Sequence, residues 1–336
     1  MHKIFSVFRP LIVMPLITVL ILTSACTKIV IETPISTTTL GVQTTSNSII
    51  QTTIPAATLT YGVGDAPLGI CTDGTNIWVL NHDDGSITEL TKDGSFLGTY
   101  SISRYSENIY FDGTDVWVTN PYNDNITKLS ASDGSILGNY DAGTGPEGIC
   151  SDGTNIWVAN MPSNTVTKLK VGDGTILGTY SVGSQPIRLC FDGANIWVTN
   201  SASNSVTKLR ASDGKVLGTY AVGTHPGDIC FDGANIWVTN PGSNNVIKLR
   251  ASDGAILGTY TIYAGSICFD GTYIWVTNTG NSDTTNGNVI KVKASDGSVL
   301  GNYMVGIGPD GICFDGTNIW VANVISNTVT KLTITK

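Results

Sequence analysis

The octapeptide GANIWVTN stands at 193–200 and again at 233–240, and five near copies accompany it: GTNIWVLN at 74–81, GTDVWVTN at 113–120, GTNIWVAN at 153–160 and 316–323, and GTYIWVTN at 271–278. Each copy holds one of the chain's seven tryptophans: Trp78, Trp117, Trp157, Trp197, Trp237, Trp275 and Trp320. Their spacings are 39, 40, 40, 40, 38 and 45 residues. A fixed period of this length signals repeated supersecondary units that stack or close on one another.

Residues 186–223 represent the unit: PIRLCFDGANIWVTNSASNSVTKLRASDGKVLGTYAVG. Four short apolar runs are separated by Asp192-Gly193, by SASN and by Asp213-Gly214. Asp-Gly between β-prone runs is a hairpin signal, because glycine takes the positive φ of a tight turn. The runs are too short for stable helices and suit strands. Each unit is therefore a four-stranded antiparallel meander of blade size. Low charge (13%) and 38 glycines fit an all-β chain with many turns. The last unit stops after its third strand, and LTYGVG at 59–64 matches the fourth-strand signature GTYAVG at 218–223. An N-terminal strand that completes the last blade closes the row into a ring and removes two sheet edges. The sequence predicts a seven-bladed β-propeller over 58–336.

The pattern IWVTN…SNTVTKL…DG…LGTY.VG resembles the YVTN family of β-propeller repeats, related to NHL and surface-layer propellers. It covers 59–336, with Trp where that family often has Tyr. The resemblance implies a secreted or cell-surface protein, of a kind that often has no known reaction.

Before the repeats, Lys3 and Arg9 precede the apolar run PLIVMPLITVLIL at 10–22, followed by TSAC. Residues 1–25 read as a signal peptide, and the stretch resembles a bacterial lipoprotein leader with Cys26 as the lipidated residue. Thr23 departs from the leucine usual in that motif. An uncleaved signal anchor is the alternative, for which the run is short. Residues 26–57, rich in Ser, Thr and Ile, read as a tether. Thr27 after the cysteine resembles the sorting pattern that permits outer-membrane placement. The expected setting is an exported, membrane-anchored lipoprotein at the cell surface or in the periplasm. The net charge is −8, and no basic run occurs, so nucleic acid is not expected as a partner.

What repeats reads as scaffold. The seven tryptophans fill the wedge between blades, and the Asn ending each second strand caps the following turn. The lysines of TKL (Lys128, Lys168, Lys208, Lys331, with Lys248 in IKL) read as solvated charges, as do Arg210 and Arg250, and Glu89 as surface variation. Cys71, Cys150, Cys190, Cys230, Cys268 and Cys313 recur at one first-strand position, with Tyr110 in the second unit. Sites related by rotation about the axis are expected to lie beyond disulfide reach, so these read as buried free thiols.

What departs from the repeat points to a site. The entrance of the first strand varies sharply, and Glu107, Glu147, Arg188, Asp228 and Asp310 should gather at one channel mouth. This is a mainly acidic rim for a cation, a basic group or a carboxylate held by Arg188; a hydrated funnel is the alternative. Asp83 and Asp84 in NHDDGS (81–86), and Asp283 in the loop 278–288, are candidate ligands for a divalent cation such as Mg²⁺ or Ca²⁺. They lack a calcium-loop pattern, and solvated loops are the alternative. No cofactor is expected beyond that.

Streptogramin lyases are also seven-bladed propellers of related repeats, and resemblance to them implies histidine and glutamate near the channel with Mg²⁺. This chain has no HxE or ExH pair, no Gly-Lys-Ser/Thr loop, no GxSxG and no HExxH. His225, before the strand entrance, with Glu147 and Asp228 forms the candidate catalytic set. Glu107 and Glu147 are also conceivable as a glycosidase pair. The sequence therefore favours a non-enzymatic surface module that presents a propeller face to a protein, peptide or glycan. A metal-dependent lyase or hydrolase at the mouth stands second, and a structural envelope component third.

Overall fold

A computed structural model describes residues 58–279 and 285–334. The leader, Cys26, the tether and Asp283 lie outside the described residues. Seven four-stranded antiparallel sheets are present. In blade four the strands are Pro186–Phe191, Asn195–Asn200, Ser205–Arg210 and Val216–Ala221, called a to d from the axis outward. Strand a of each blade packs against strand a of the next, including that of blade one (Pro67–Thr72) on that of blade seven (Pro309–Phe314). The ring is closed by Thr58–Gly62, which pairs with Thr328–Thr333 from Thr58 opposite Leu332 to Gly62 opposite Thr328. Blade seven is thus built from both ends of the repeat region.

The repeated Asp-Gly does more than turn the chain. Asp192 accepts the Ala194 and Asn195 amides on Oδ1 (2.9 and 2.7 Å) and the Trp197 indole N–H on Oδ2 (2.7 Å). The indole bond recurs in all seven blades at 2.6–2.9 Å. Burial pushes the Asp192 carboxyl up, but the bonds from Trp197, Asn195 and the backbone outweigh it and hold it below the usual range. Every indole is fully buried, in clusters that span two blades. Trp78, Leu80 and Ile87 of blade one pack with Ile109, Val116 and Val118 of blade two. A strand-d tyrosine packs on each indole with centroids 5.4–5.8 Å apart, stacked in five blades and tilted at Tyr140 and Tyr303. Tyr100 also lies over Gly134 of the next blade, whose Cβ would fall 2.0 Å from the ring. Only glycine fits there.

Three expectations are corrected. The repeated lysines are not solvated: Lys128, Lys168, Lys208 and Lys248 are buried. Their ammonium groups, with that of Lys331, donate across the interface to carbonyls of the next blade at 2.6–3.1 Å. Each also sits 4.9–5.5 Å over its own blade's indole. Alternation alone suggested an outward charge, but strand c is covered on both faces by neighbouring blades. Glu89, at this position in blade one, is buried too and accepts bonds from Asn76 (2.7 Å) and the Tyr100 hydroxyl (2.6 Å). The Asn residues ending strand b reach across the sheet rather than capping their turn: Asn81 donates to Ser86 and Thr88 at 2.9 Å. The buried amide nitrogen thus finds its partners inside the sheet.

The six described cysteines are free thiols. They pack at blade interfaces, Cys71 against the Trp78 cluster and Cys313 against the Trp320 cluster. In blade two Tyr110 takes this place, and burial pushes its phenol up to about 12.

Candidate active site at the channel mouth

Strand a begins irregularly, and the irregularity carries the mouth residues. In blade three Pro146 pairs with Asn160, but the ladder resumes only at Ile149 opposite Val158. In blade seven it passes from Pro309–Asn323 to Ile312–Val321. Such slips re-aim side chains away from the sheet faces, and they contain Glu147 and Asp310. Arg188 ends a shorter slip in blade four. Glu107 and Asp228 precede the abbreviated strands Asn108–Phe111 and Ile229–Phe231. Strand-b threonines fix this irregular backbone. The Thr119 hydroxyl donates to the Glu147 carbonyl (2.8 Å), and the Asp228 amide donates to the Thr239 hydroxyl (2.8 Å).

Glu147 and Asp228 feel the charges of the other entrance residues. Burial, then the Glu107 charge, pushes the Glu147 carboxyl up, and Arg188 opposes them. Asp228 is raised by burial, against the pull of Arg188 and of the Ile267 and Ile229 amides, with Asp310 adding to the rise. Those amides lie 2.9 and 2.8 Å from its two oxygens. The Ser266 hydroxyl donates to Asp310 (3.0 Å). Arg188 donates Nη1 to the Ile187 carbonyl (3.1 Å).

One participant was missed. His82, in the b–c loop of blade one, extends its ring over the entrance of blade two, with Nε2 3.5 Å from Glu107 Oε1. Its Nδ1 is bonded to Asp83 Oδ1 at 2.6 Å. The loop is held firmly. The His82 amide donates to the Ala66 carbonyl (3.0 Å), the Tyr105 amide to the His82 carbonyl (2.8 Å), and Arg104 Nε to the Asp83 carbonyl (2.6 Å). Asp84 spends its oxygens on the Asp65 amide (3.0 Å) and the Ser86 hydroxyl (2.6 Å). A histidine–glutamate pair therefore exists at the mouth, although the two residues lie on different blades and form no local motif. The one available signal was topological: a b–c loop and the next blade's strand-a entrance share a face. His225 does not make such a pair. It is exposed in a left-handed conformation (φ 49°), its amide bonded to Asn204 (2.8 Å), and among the described residues no carboxylate lies within ion-pairing distance of its ring.

Among the described residues no three His, Cys, Asp or Glu side chains converge as a metal site. Both ring nitrogens of His82 are already met by carboxylates, Nδ1 by Asp83 and Nε2 by Glu107.

No protein-family model and no curated protein matches the chain. Solved structures do. One titled streptogramin B lyase superposes with a TM-score of 0.71 at 22% identity, covering 83% of this chain and 98% of that one. Virginiamycin B lyase from Staphylococcus aureus gives 0.70 at 21%, covering 83% and 99%. Hydrazine synthase of Kuenenia stuttgartiensis gives 0.69 at 18%, covering 86% and 99%. The chain is a seven-bladed β-propeller. At these identities the likeness establishes the fold, and any reaction remains to be proposed. It nevertheless corrects the order of the functional expectations. The sequence favoured a non-enzymatic binding module and counted an enzyme the less favoured reading. The structures matched over nearly their full length include two lyases, and the missing histidine–glutamate pair is present.

Proposed function

We propose that this protein is an enzyme of the eliminating, lyase type, acting at the channel mouth. The observation that carries the proposal is the approach of His82 to Glu107, beside a Glu147 carboxyl whose pKa is raised. The Asp83 carboxylate on Nδ1 favours the tautomer that keeps that proton and leaves Nε2 as the base, and the Glu107 carboxylate 3.5 Å from Nε2 stabilises the imidazolium formed when Nε2 takes a proton. Nε2 then removes a proton from carbon α to a carbonyl. The electron pair forms the C=C bond and expels an oxygen leaving group from the β carbon. Glu147, its carboxyl pushed up by burial and by Glu107, is placed to supply a proton where the leaving group needs one. Arg188 is placed to receive charge that develops on the carbonyl oxygen.

Kinship of the repeats with YVTN propellers, and export as a lipoprotein anchored through Cys26, belong to the same proposal. The apolar run followed by TSAC, and the Thr/Ser-rich segment after it, support them.

The test is incubation with a streptogramin B antibiotic, followed by mass spectrometry. Elimination opens an ester-linked ring with no change of mass, whereas hydrolysis adds one water. His82→Ala should lower the elimination rate by about 10²–10⁴-fold without lowering the melting temperature. An unchanged rate in that variant refutes the assignment of His82.

A further inference from the structure

Beside His82 the mouth carries a feature that elimination chemistry does not use. We infer that Tyr105 and Tyr122 form a ring-stacking subsite, and that it takes an aromatic ring bearing a cationic amine. The inference deepens the proposed function and rests on reading this mouth as the active site.

Tyr122 stands at the tip of the 3₁₀ turn Pro121–Asn123, 80% exposed, and Tyr105 is 43% exposed. Their centroids lie 5.6 Å apart at 58°, so the two rings form a shallow open angle. Tyr105 in turn meets the His82 ring edge-on at 5.2 Å. A third ring laid on the pair would therefore hold its substituents next to the histidine.

The backbone of Tyr105 follows a corner common to the ring. The corner before strand a is left-handed in several blades, where it is occupied by Ala66, Gly145, Gln185, His225 and Gly308. In blade two it is Tyr105, at φ 61°. The corner belongs to the repeat, and it fixes the direction in which the Tyr105 side chain leaves the backbone. Arg104, tethered to the Asp83 carbonyl, covers one face of Tyr105 at 5.6 Å and stiffens it. The open surface is Tyr122 with the outer side of Tyr105.

Charge selects the ligand. Asp83 and Glu107 flank His82, whose ring meets Tyr105, with Glu147 beyond Glu107, and Arg104 is the nearby cation. An ammonium group next to the stacked ring gains from these carboxylates and from the faces of the tyrosines, while a carboxylate is repelled.

The experiment is saturation-transfer NMR on the full chain with tyramine, its anionic counterpart 4-hydroxyphenylacetate, and methyl β-glucoside as probes. Tyramine should bind with its aromatic protons most strongly saturated. Its Kd should be at least about fivefold below that of the anion, and the gap should close as salt is added. Tyr122→Ala should weaken tyramine about fivefold or more, and Tyr122→Phe should retain it. Tyr105→Asn, which keeps the left-handed corner, should weaken tyramine as well. Equal binding by wild type and Tyr122→Ala overturns the inference, as does an anion or a glucoside that binds as well as tyramine. Tyramine binding through Tyr122 without any elimination activity upholds the subsite and sinks the lyase reading. Elimination dependent on His82 with no tyramine binding does the reverse.

Discussion

Lys208→Met tests whether the buried lysines hold the ring together. The lysine Nζ lies 2.6 Å from the Ala251 carbonyl of the next blade and 4.9 Å over the Trp197 ring, in a side chain only 6% exposed. A hydrogen bond from a charged donor contributes about 1.5–3 kcal/mol, and the cation–π contact adds about 0.5–2 kcal/mol. Against them stands the desolvation of the ammonium, an effective penalty of several kcal/mol. Methionine keeps the apolar stem and removes that penalty, but it orphans a buried carbonyl at about 1–3 kcal/mol. The balance is a destabilisation of about 2 kcal/mol, or about 4–8 °C in Tm for a domain this large. Lys170→Met is the control, since its side chain is 57% exposed and paired with Asp173 only at the surface. That change should stay within about 0.5 kcal/mol. Calorimetry and urea unfolding with an unchanged m value give both numbers. If Lys208→Met melts with or above Lys170→Met, the buried ammonium costs as much as it contributes, and the interfaces are held by the indole wedge alone.

Two further outcomes follow from the titrating groups. Glu147 has its folded pKa raised, by burial first and Glu107 second, so its contribution is fully present below the ordinary glutamate value and is lost as pH rises through the folded value. Glu147→Gln should therefore raise Tm relative to wild type increasingly as pH climbs above the ordinary glutamate value; a pH-independent difference would contradict the burial of this carboxyl. The six described thiols are pushed up, chiefly by burial. Native protein without reductant should react slowly with a thiol reagent near about pH 8 and release six propeller thiols on unfolding, whereas three bridges would refute the free-thiol assignment.

The ring was legible because its determinants are local and repeated. Asp-Gly turns, strand-length apolar runs and the orphan LTYGVG each act within a few residues, and the pairing of Thr58–Gly62 with Thr328–Thr333 follows from them. Side-chain fates that depend on the neighbouring blade were not legible. Lys208 and Arg210 look alike in one strand, yet the first is buried against Ala251 while the second pairs with Asp213 at the surface. The acids at the mouth could be listed from their departure from the repeat. Their partner His82 could not, because it sits 25 positions before Glu107 on another blade.

Departures from the repeat are informative when they share a seam. Positions inside the wedge are constrained by the indole, its aspartate and its tyrosine, so variation there is costly. Positions in the strand-a slips escape the ladder and can change freely, which makes a single unusual residue there weak grounds for function. The seam between blades one and two is different. Glu89 there replaces the lysine that would clasp blade two. His82 crosses the same seam to reach Glu107. Independent relaxations of the repeat would scatter around seven equivalent interfaces. Their convergence on the one that joins a histidine, a carboxylate and two exposed aromatic rings is what a site built into an otherwise uniform ring requires.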